Sequence, residues 1–258
     1  MEVLAGEHNL LAKVKEQGCY FKFDFSKVYW NSRLQGEHER LVKKFKKTDI
    51  ICDVMAGVGP FSIPAAKNIG CQVYANDLNP SSYSSLVENI EINKVGKKVK
   101  AYNMDGRQFI RQSFKELLDA CKDEAKTFNH VLMNLPATAI EFLDAFNGVY
   151  SGYQTKVFHE GRYKNDFAPP TIHVHCFTKC AEDPNAEILE RAKVALGLED
   201  KYYAEFCKDA IITYVRSVAP NKNMYCLSFE LPASVALGNA NPYESTNNQN
   251  ETCDSKNR

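Results

Sequence analysis

The segment Ile50-Ile51-Cys52-Asp53-Val54-Met55 is an apolar run that passes directly into the turn Ala56-Gly57-Val58-Gly59-Pro60-Phe61. A run of this length suits one buried strand, and glycines at its end let the chain turn sharply and bring its backbone close to a ligand. Pro64-Ala65-Ala66-Lys67 then reads as helix. Strand, glycine turn and helix in this order belong to open α/β sheets, which bind ligands outside the carboxyl ends of their strands.

The following sequence repeats that alternation. Gln72 to Asp77 reads as a strand, Pro80 to Asn93 as a proline-opened helix, Val99 to Asp105 as a strand, Gln108 to Cys121 as a helix and His130 to Leu135 as a strand. A charged helix from Gly36 to Lys47, with Leu41, Val42 and Phe45 as its apolar stripe, precedes them. The expected fold is therefore α/β, a doubly wound Rossmann-like sheet with crossover helices. Residues 148–170, rich in glycine and closed by Pro169-Pro170, read as a long loop. Thr171 to Phe177 reads as a strand and Pro184 to Leu196 as a helix, and Ile211 to Val218 and Met224 to Leu231 form a hairpin at the sheet edge.

Both ends differ from this middle. Tyr20 to Phe25 alternates aromatic and polar residues as a half-buried strand does, and a first candidate strand near Val3 and Leu4 starts almost at Met1. Residues 1–34 thus read as the remnant of a small β-rich domain, and the chain as the back part of a longer protein. Residues 35–232 form the sheet domain. Residues 233–258, dominated from Asn239 by asparagine, serine and glutamate, read as a disordered polar tail.

With 44% hydrophobic residues over 258, the chain can bury a full core. Lysine plus arginine and aspartate plus glutamate stand at 32 each, so no global positive field advertises a nucleic-acid partner. The nine cysteines follow no framework, and Cys52, Cys176 and Cys226 sit inside apolar runs, as reduced thiols do. No run is long and apolar enough for a membrane span, so no membrane partner is expected.

Asp53, Asp77 and Asp105 end three successive predicted strands beside Gly57 and Gly59. At a strand end a carboxylate can accept ribose hydroxyls, although each acid singly also reads as a helix N-cap. A dinucleotide fingerprint would need a third glycine where Ser62 stands. A nucleotide-like cofactor without a pyrophosphate, S-adenosyl-L-methionine, suits the turn better.

The order and spacing of several segments then resemble one family. Val28-Tyr29-Trp30-Asn31-Ser32-Arg33-Leu34, Glu37-His38-Glu39-Arg40, Asp53 to Phe61 and Asn134-Leu135-Pro136 are similar to segments of the archaeal and eukaryotic tRNA (guanine-N1)-methyltransferases that act 3′ to the anticodon. Thr171 to Phe177 and Val218 to Lys222 look like further family segments, so the resemblance runs over residues 1–232. It implies methyl transfer from S-adenosyl-L-methionine to N1 of guanosine 37 of tRNA.

The resemblance also implies roles. Glu37 is the expected general base, with Tyr29, Arg33 and Asn134 at the target base. His38, Asp53, Gly57, Gly59, Asp77, Leu78, Asp105, Gly106 and Asn134 are the expected cofactor contacts. Guanine N1 is a poor nucleophile until it loses its proton, so a base near the methyl donor is needed, and burial is expected to raise the Glu37 pKa and make it a better acceptor. Glu37 also lies in the first turn of a predicted helix, where acidic residues are favoured regardless of function.

Alternative readings are an aminocarboxypropyl transferase of wybutosine synthesis and a catalytically weak cofactor-binding fragment. Full-length family members carry an N-terminal tRNA-gripping domain and an arginine that would fall before Met1. A monomer is expected, in the cytoplasm, with the mitochondrial matrix and nucleus allowed by the resemblance. His173, His175, Cys176 and Cys180 are close enough for zinc, but strand alternation puts Cys176 on the opposite face from both histidines, so no metal is expected. The basic clusters Lys43 to Lys47 and Lys97 to Lys100 read first as solvated faces, with phosphate contact as the alternative.

Overall fold

Alternation near the start of the chain produces a hairpin, β1 (Leu11–Glu16) against β2 (Cys19–Asp24). Cys19, Phe21 and Phe23 turn inward and Tyr20 outward. The computed structural model describes residues 6–7, 9–120, 126–160, 162–164 and 167–238, so the expected strand near Val3 and the expected tail from Asn239 lie outside the described residues. The inward face of β2 joins one apolar cluster with Leu41, Ile51, Phe61 and Ile63. The hairpin thus shares its core with the main sheet instead of forming a separate unit.

Helix α1 (Gln35–Val42) follows, ending earlier than its apolar stripe predicts. The side chain of Asp49 accepts the Lys46 amide and Lys44 bonds back to Leu41, so residues after Val42 turn towards the sheet. β3 (Ile50–Asp53), β4 (Gln72–Asn76), α2 (Pro80–Ile92), β5 (Val99–Tyr102), α3 (Gly106–Asp119) and β6 (His130–Met133) then alternate as the pattern predicts. A short helix over Ser62–Pro64 passes into a π turn over Ala65–Ile69, ended by Gly70 in the left-handed region.

The described residues between 148 and 170 are packed where a loop is expected. Their two-residue strands β7 (Phe158–His159) and β8 (Arg162–Tyr163) pair, and Tyr150, Phe158, Tyr163 and Phe167 form an aromatic cluster in the core. Glycine density hid this, because Gly148 and Gly152 mark turns beside the aromatics and not an unpacked stretch.

β9 (Thr171–Thr178), α4 (Pro184–Leu196), α5 (Asp200–Asp209), β10 (Ile211–Ala219), β11 (Lys222–Glu230) and α6 (Ala233–Leu237) complete the described chain. α5 is invisible to periodicity, since Phe206 is its one fully buried residue. α6 corrects the predicted tail: Val235, Ala236 and Leu237 are buried, and Gly148 and Tyr150 donate backbone bonds to Val235 and Ala236.

The main sheet runs β10-β11-β9-β6-β3-β4-β5. β9, β6, β3, β4 and β5 are parallel, and the β10–β11 hairpin adds antiparallel strands beside β9. The chain winds outward from β3 to β5 and then returns to place β6 on the other side of β3. That reversal opens a crevice at the carboxyl ends of β3 and β6, where doubly wound sheets bind their ligands.

Candidate active site

Asp53 ends β3 at this reversal and is fully buried. Ser62, the residue standing where a dinucleotide site would have glycine, donates its hydroxyl to Asp53 Oδ2 at 2.6 Å. Oδ1 is buried with no hydrogen-bond partner among the described residues. Burial outweighs the Ser62 bond and lifts the Asp53 carboxyl to about 7. Such a carboxylate is a ready partner for a cationic group.

The glycine turn is tied to the next strand end. Asp77 Oδ2 accepts the Gly57 amide at 2.8 Å, and Oδ1 accepts the Asn79 amide at 2.9 Å. Burial raises the Asp77 pKa, and these backbone bonds oppose it. Gly59 has φ +99°, and a Cβ there would lie 2.8 Å from Ile63 Cδ1. Glycine is therefore required for the turn to close against its own helix.

Asp105 caps α3 through Oδ1, which accepts the Arg107 and Gln108 amides at 2.9 and 3.3 Å. The capping alternative is thus realised for Asp105, whereas α2 is capped by Asn79 and Asp53 bonds a side chain. At Gly106 a Cβ would meet Phe142 at 3.1 Å, so this residue brings α3 close to the segment after β6. Asn134 follows β6, and its Oδ1 is a second buried oxygen with no partner among the described residues. Leu78, Leu135 and Tyr29 are large apolar residues left exposed, at 65%, 43% and 73%.

Glu37 and His38 lie side by side on α1, both buried, each paired with a group from a different element. Glu37 Oε1 accepts His175 Nε2 of β9 at 2.7 Å, while His38 Nδ1 bonds Glu16 Oε1 of β1 at 2.7 Å. Arg40, one turn on, holds Glu37 in a fork: Nε to Oε2 at 2.6 Å and Nη2 to Oε1 at 2.7 Å. Phe61 of the glycine turn packs on His38 and on His175, with ring centroids 4.8 and 6.1 Å apart. α1 is thereby fixed against the turn from two sides.

This geometry corrects the expected electrostatics of Glu37. Burial does act to raise its pKa, but the hydrogen bonds from Arg40 and His175 outweigh it and hold the carboxyl at about 2. For His175, burial opposes the charged ring, while Cys226 and Glu37 pull it up to about 10. Neither Arg40 nor His175 in this network was visible in sequence. Arg40 reads as an ordinary surface residue of a charged helix, and the contact to His175 joins residues far apart in the chain.

Arg33 is exposed within the turn Ser32–Leu34, its amide capped by the Asn31 side chain, and Tyr29 accepts a bond from Asn31 at 3.2 Å. His173 does share a face with His175, as strand alternation predicts, and is bonded to Ser228 and His130 at 2.8 and 3.1 Å. Glu37, His175 and Cys226 place one ligand atom each within 4.8 Å of one another. Because the Arg40 cation occupies both Glu37 oxygens, that trio is a poor cation site.

The sequence matches the TRM5/TYW2 methyltransferase domain over residues 12–160, more than half of the chain. The chain belongs to this family. A tRNA (guanine(37)-N(1))-methyltransferase of Batrachochytrium dendrobatidis is 46% identical over 272 residues, covering 92% of this chain and 54% of that protein. Its counterpart in Xenopus tropicalis is 48% identical over 239 residues, covering 91% and 45%. This TRM5/TYW2-family chain therefore spans about half the length of the curated relatives it matches. Trm5 of Methanocaldococcus jannaschii, crystallised in complex with adenosine, superposes with a TM-score of 0.60 at 29% identity, covering 89% of this chain and 57% of that one.

Proposed function

We propose that the chain transfers the methyl group of S-adenosyl-L-methionine to N1 of guanosine 37 of tRNA. The observation carrying this reading is the meeting of two sets of groups at one crevice: the Asp53–Gly57–Gly59–Asp77 turn and the Glu37 carboxylate, joined through Phe61. Relatives of about 45% identity bear that activity in their names, which supports it further.

The residues fit the cofactor. Two buried oxygens without partners, Asp53 Oδ1 and Asn134 Oδ1, await polar or cationic groups. Asp77 serves the ribose and Asp105 with Gly106 the adenine end, while the exposed side chain of Leu78 offers apolar cover. His38, packed on Phe61, shapes the floor. When bound, the cofactor supplies an electrophilic methyl on a sulfonium, so the protein needs to align it and to deprotonate its target.

Glu37 is the group that takes the guanine N1 proton, and a cofactor held by the Asp53–Gly59 turn would supply the methyl to N1, leaving S-adenosylhomocysteine. The products are N1-methylguanosine, S-adenosylhomocysteine and a protonated Glu37, which returns its proton to solvent. Asn134 offers an amide to the guanine edge, and the exposed Tyr29 and Arg33 receive the flipped base and its phosphate. A monomer suffices, since every group named lies on one chain. No helix among the described residues is long and apolar enough to cross a membrane. An intracellular compartment, the cytoplasm first, follows from the substrate.

Nucleoside and by-product analysis after incubation with tRNA tests this reading. N1-methylguanosine at position 37 with one S-adenosylhomocysteine per methyl is expected. Methylthioadenosine with an aminocarboxypropyl adduct would instead establish the other transfer, and neither product would mark a cofactor-binding fragment.

A further inference from the structure

We propose that His175 is a positioning residue for the Glu37 carboxylate, holding Oε1 from the sheet so that Oε2 is the oxygen that receives the guanine proton. The inference rests on the reading of Glu37 as the base. It begins from an asymmetry in the carboxylate. Oε1 accepts two donors, His175 Nε2 at 2.7 Å and Arg40 Nη2 at 2.7 Å, which fill its two lone pairs. Oε2 accepts Arg40 Nε alone, at 2.6 Å, and keeps one lone pair open.

The two holders differ in what fixes them. His175 is 0% exposed on β9, a strand bonded along both edges, by β6 and by β11. Its Nε2 is bonded to Glu37, and Cys226 of the neighbouring strand lies beside the same ring. Arg40 sits just beyond Glu37 on the same helix, with a side chain 29% exposed, so its hold moves with the helix that carries the carboxylate. A guanine N1–H arriving at Oε2 meets the lone pair left open there, while His175 keeps the carboxylate in place. Groups held by rigid elements give the orientation that catalysis needs.

The test compares the wild-type chain with His175→Ala, His175→Gln, Glu37→Gln and the double variant Glu37→Gln/His175→Ala. Single-turnover methyl transfer to tRNA, S-adenosylmethionine affinity by calorimetry and the titration of Glu37 by carbon-13 NMR are measured for each. His175→Ala is expected to slow transfer by roughly 10- to 100-fold, the scale on which a misplaced catalytic group is felt, with cofactor affinity unchanged. His175→Gln, whose amide can donate to Oε1, should recover most of that loss, and the double variant should be no slower than Glu37→Gln. A wild-type rate in His175→Ala, or a double variant slower by the full His175→Ala factor, overturns the proposal. If His175→Ala loses cofactor affinity, His175→Asn, too short to reach Oε1, replaces it, and equal rates for Asn and Gln overturn the proposal. If Glu37→Gln is as fast as wild type, or no variant transfers methyl, the base reading fails separately and the titration still decides. The Glu37 pKa rising in His175→Ala and returning in His175→Gln supports the hold, and no rise contradicts it.

Discussion

His175 Nε2 lies 2.7 Å from Glu37 Oε1, a contact between β9 and α1 buried at both ends. It ties the helix that carries the proposed base to an inner strand of the sheet. The consequence for titration is direct: the carboxyl sits at about 2 and the imidazole at about 10, so the pair is ionised across the neutral range.

Arg40 should control the acidity of Glu37. Removing its fork in Arg40→Met leaves Oε2 without a donor and lets burial act, so the Glu37 pKa rises. The acid limb of the methylation profile should shift upward, and a limb unchanged from wild type would show that Arg40 does not set it.

Stability should carry the same signature. Glu37, depressed in the folded state, contributes stability that is full above its unfolded value near 4.5 and is lost as pH falls towards about 2. His175, raised in the folded state, contributes stability that is full below its unfolded value near 6.5 and is lost as pH rises through about 10. The pair thus stabilises most between these two unfolded values. Urea unfolding of Glu37→Gln should show the acid limb flattened relative to wild type, and an acid limb parallel to wild type would contradict the ion pair.

Asp77 holds the glycine turn as well as any ribose. Asp77→Ala should weaken S-adenosylmethionine binding by about 1–3 kcal/mol, the cost of a lost hydrogen bond to a charged group. Calorimetry reads this directly, and normal affinity would remove Asp77 from the site.

Gly59→Ala should be costly although it adds one methyl. The residue has φ +99° and its Cβ would press on Ile63 Cδ1 and Leu86 Cδ1 at 2.8 and 2.9 Å. Strain of this kind costs on the order of 1–3 kcal/mol, to be seen as a lower thermal midpoint. A midpoint equal to wild type would mean that the turn relaxes freely.

How much of this was legible in sequence depended on the range of the interaction. The β/α alternation and the glycine turn are local patterns, so β3 to β6 and their helices lay within a few residues of their predicted bounds. The site's chemistry was less legible. Asp53, Asp77 and Asp105 look alike as strand-end acids, yet one binds a serine, one ties the turn and one caps a helix. Glu37 was found through family resemblance, but its electrostatics were misjudged, because Arg40 turns inward and His175 arrives from β9. α5 went unseen since only Phe206 of its residues is buried, and α6 since its five residues are too short a run to show a helical period beside the polar tail.

The rate of single-turnover methyl transfer in Glu37→Gln, at saturating tRNA bearing guanosine 37, tests the account most directly. A fall on the order of 10²-fold or more, with S-adenosylmethionine affinity nearly intact, is the predicted result, as expected for loss of a general base. An unchanged rate would contradict it and remove Glu37 as the base.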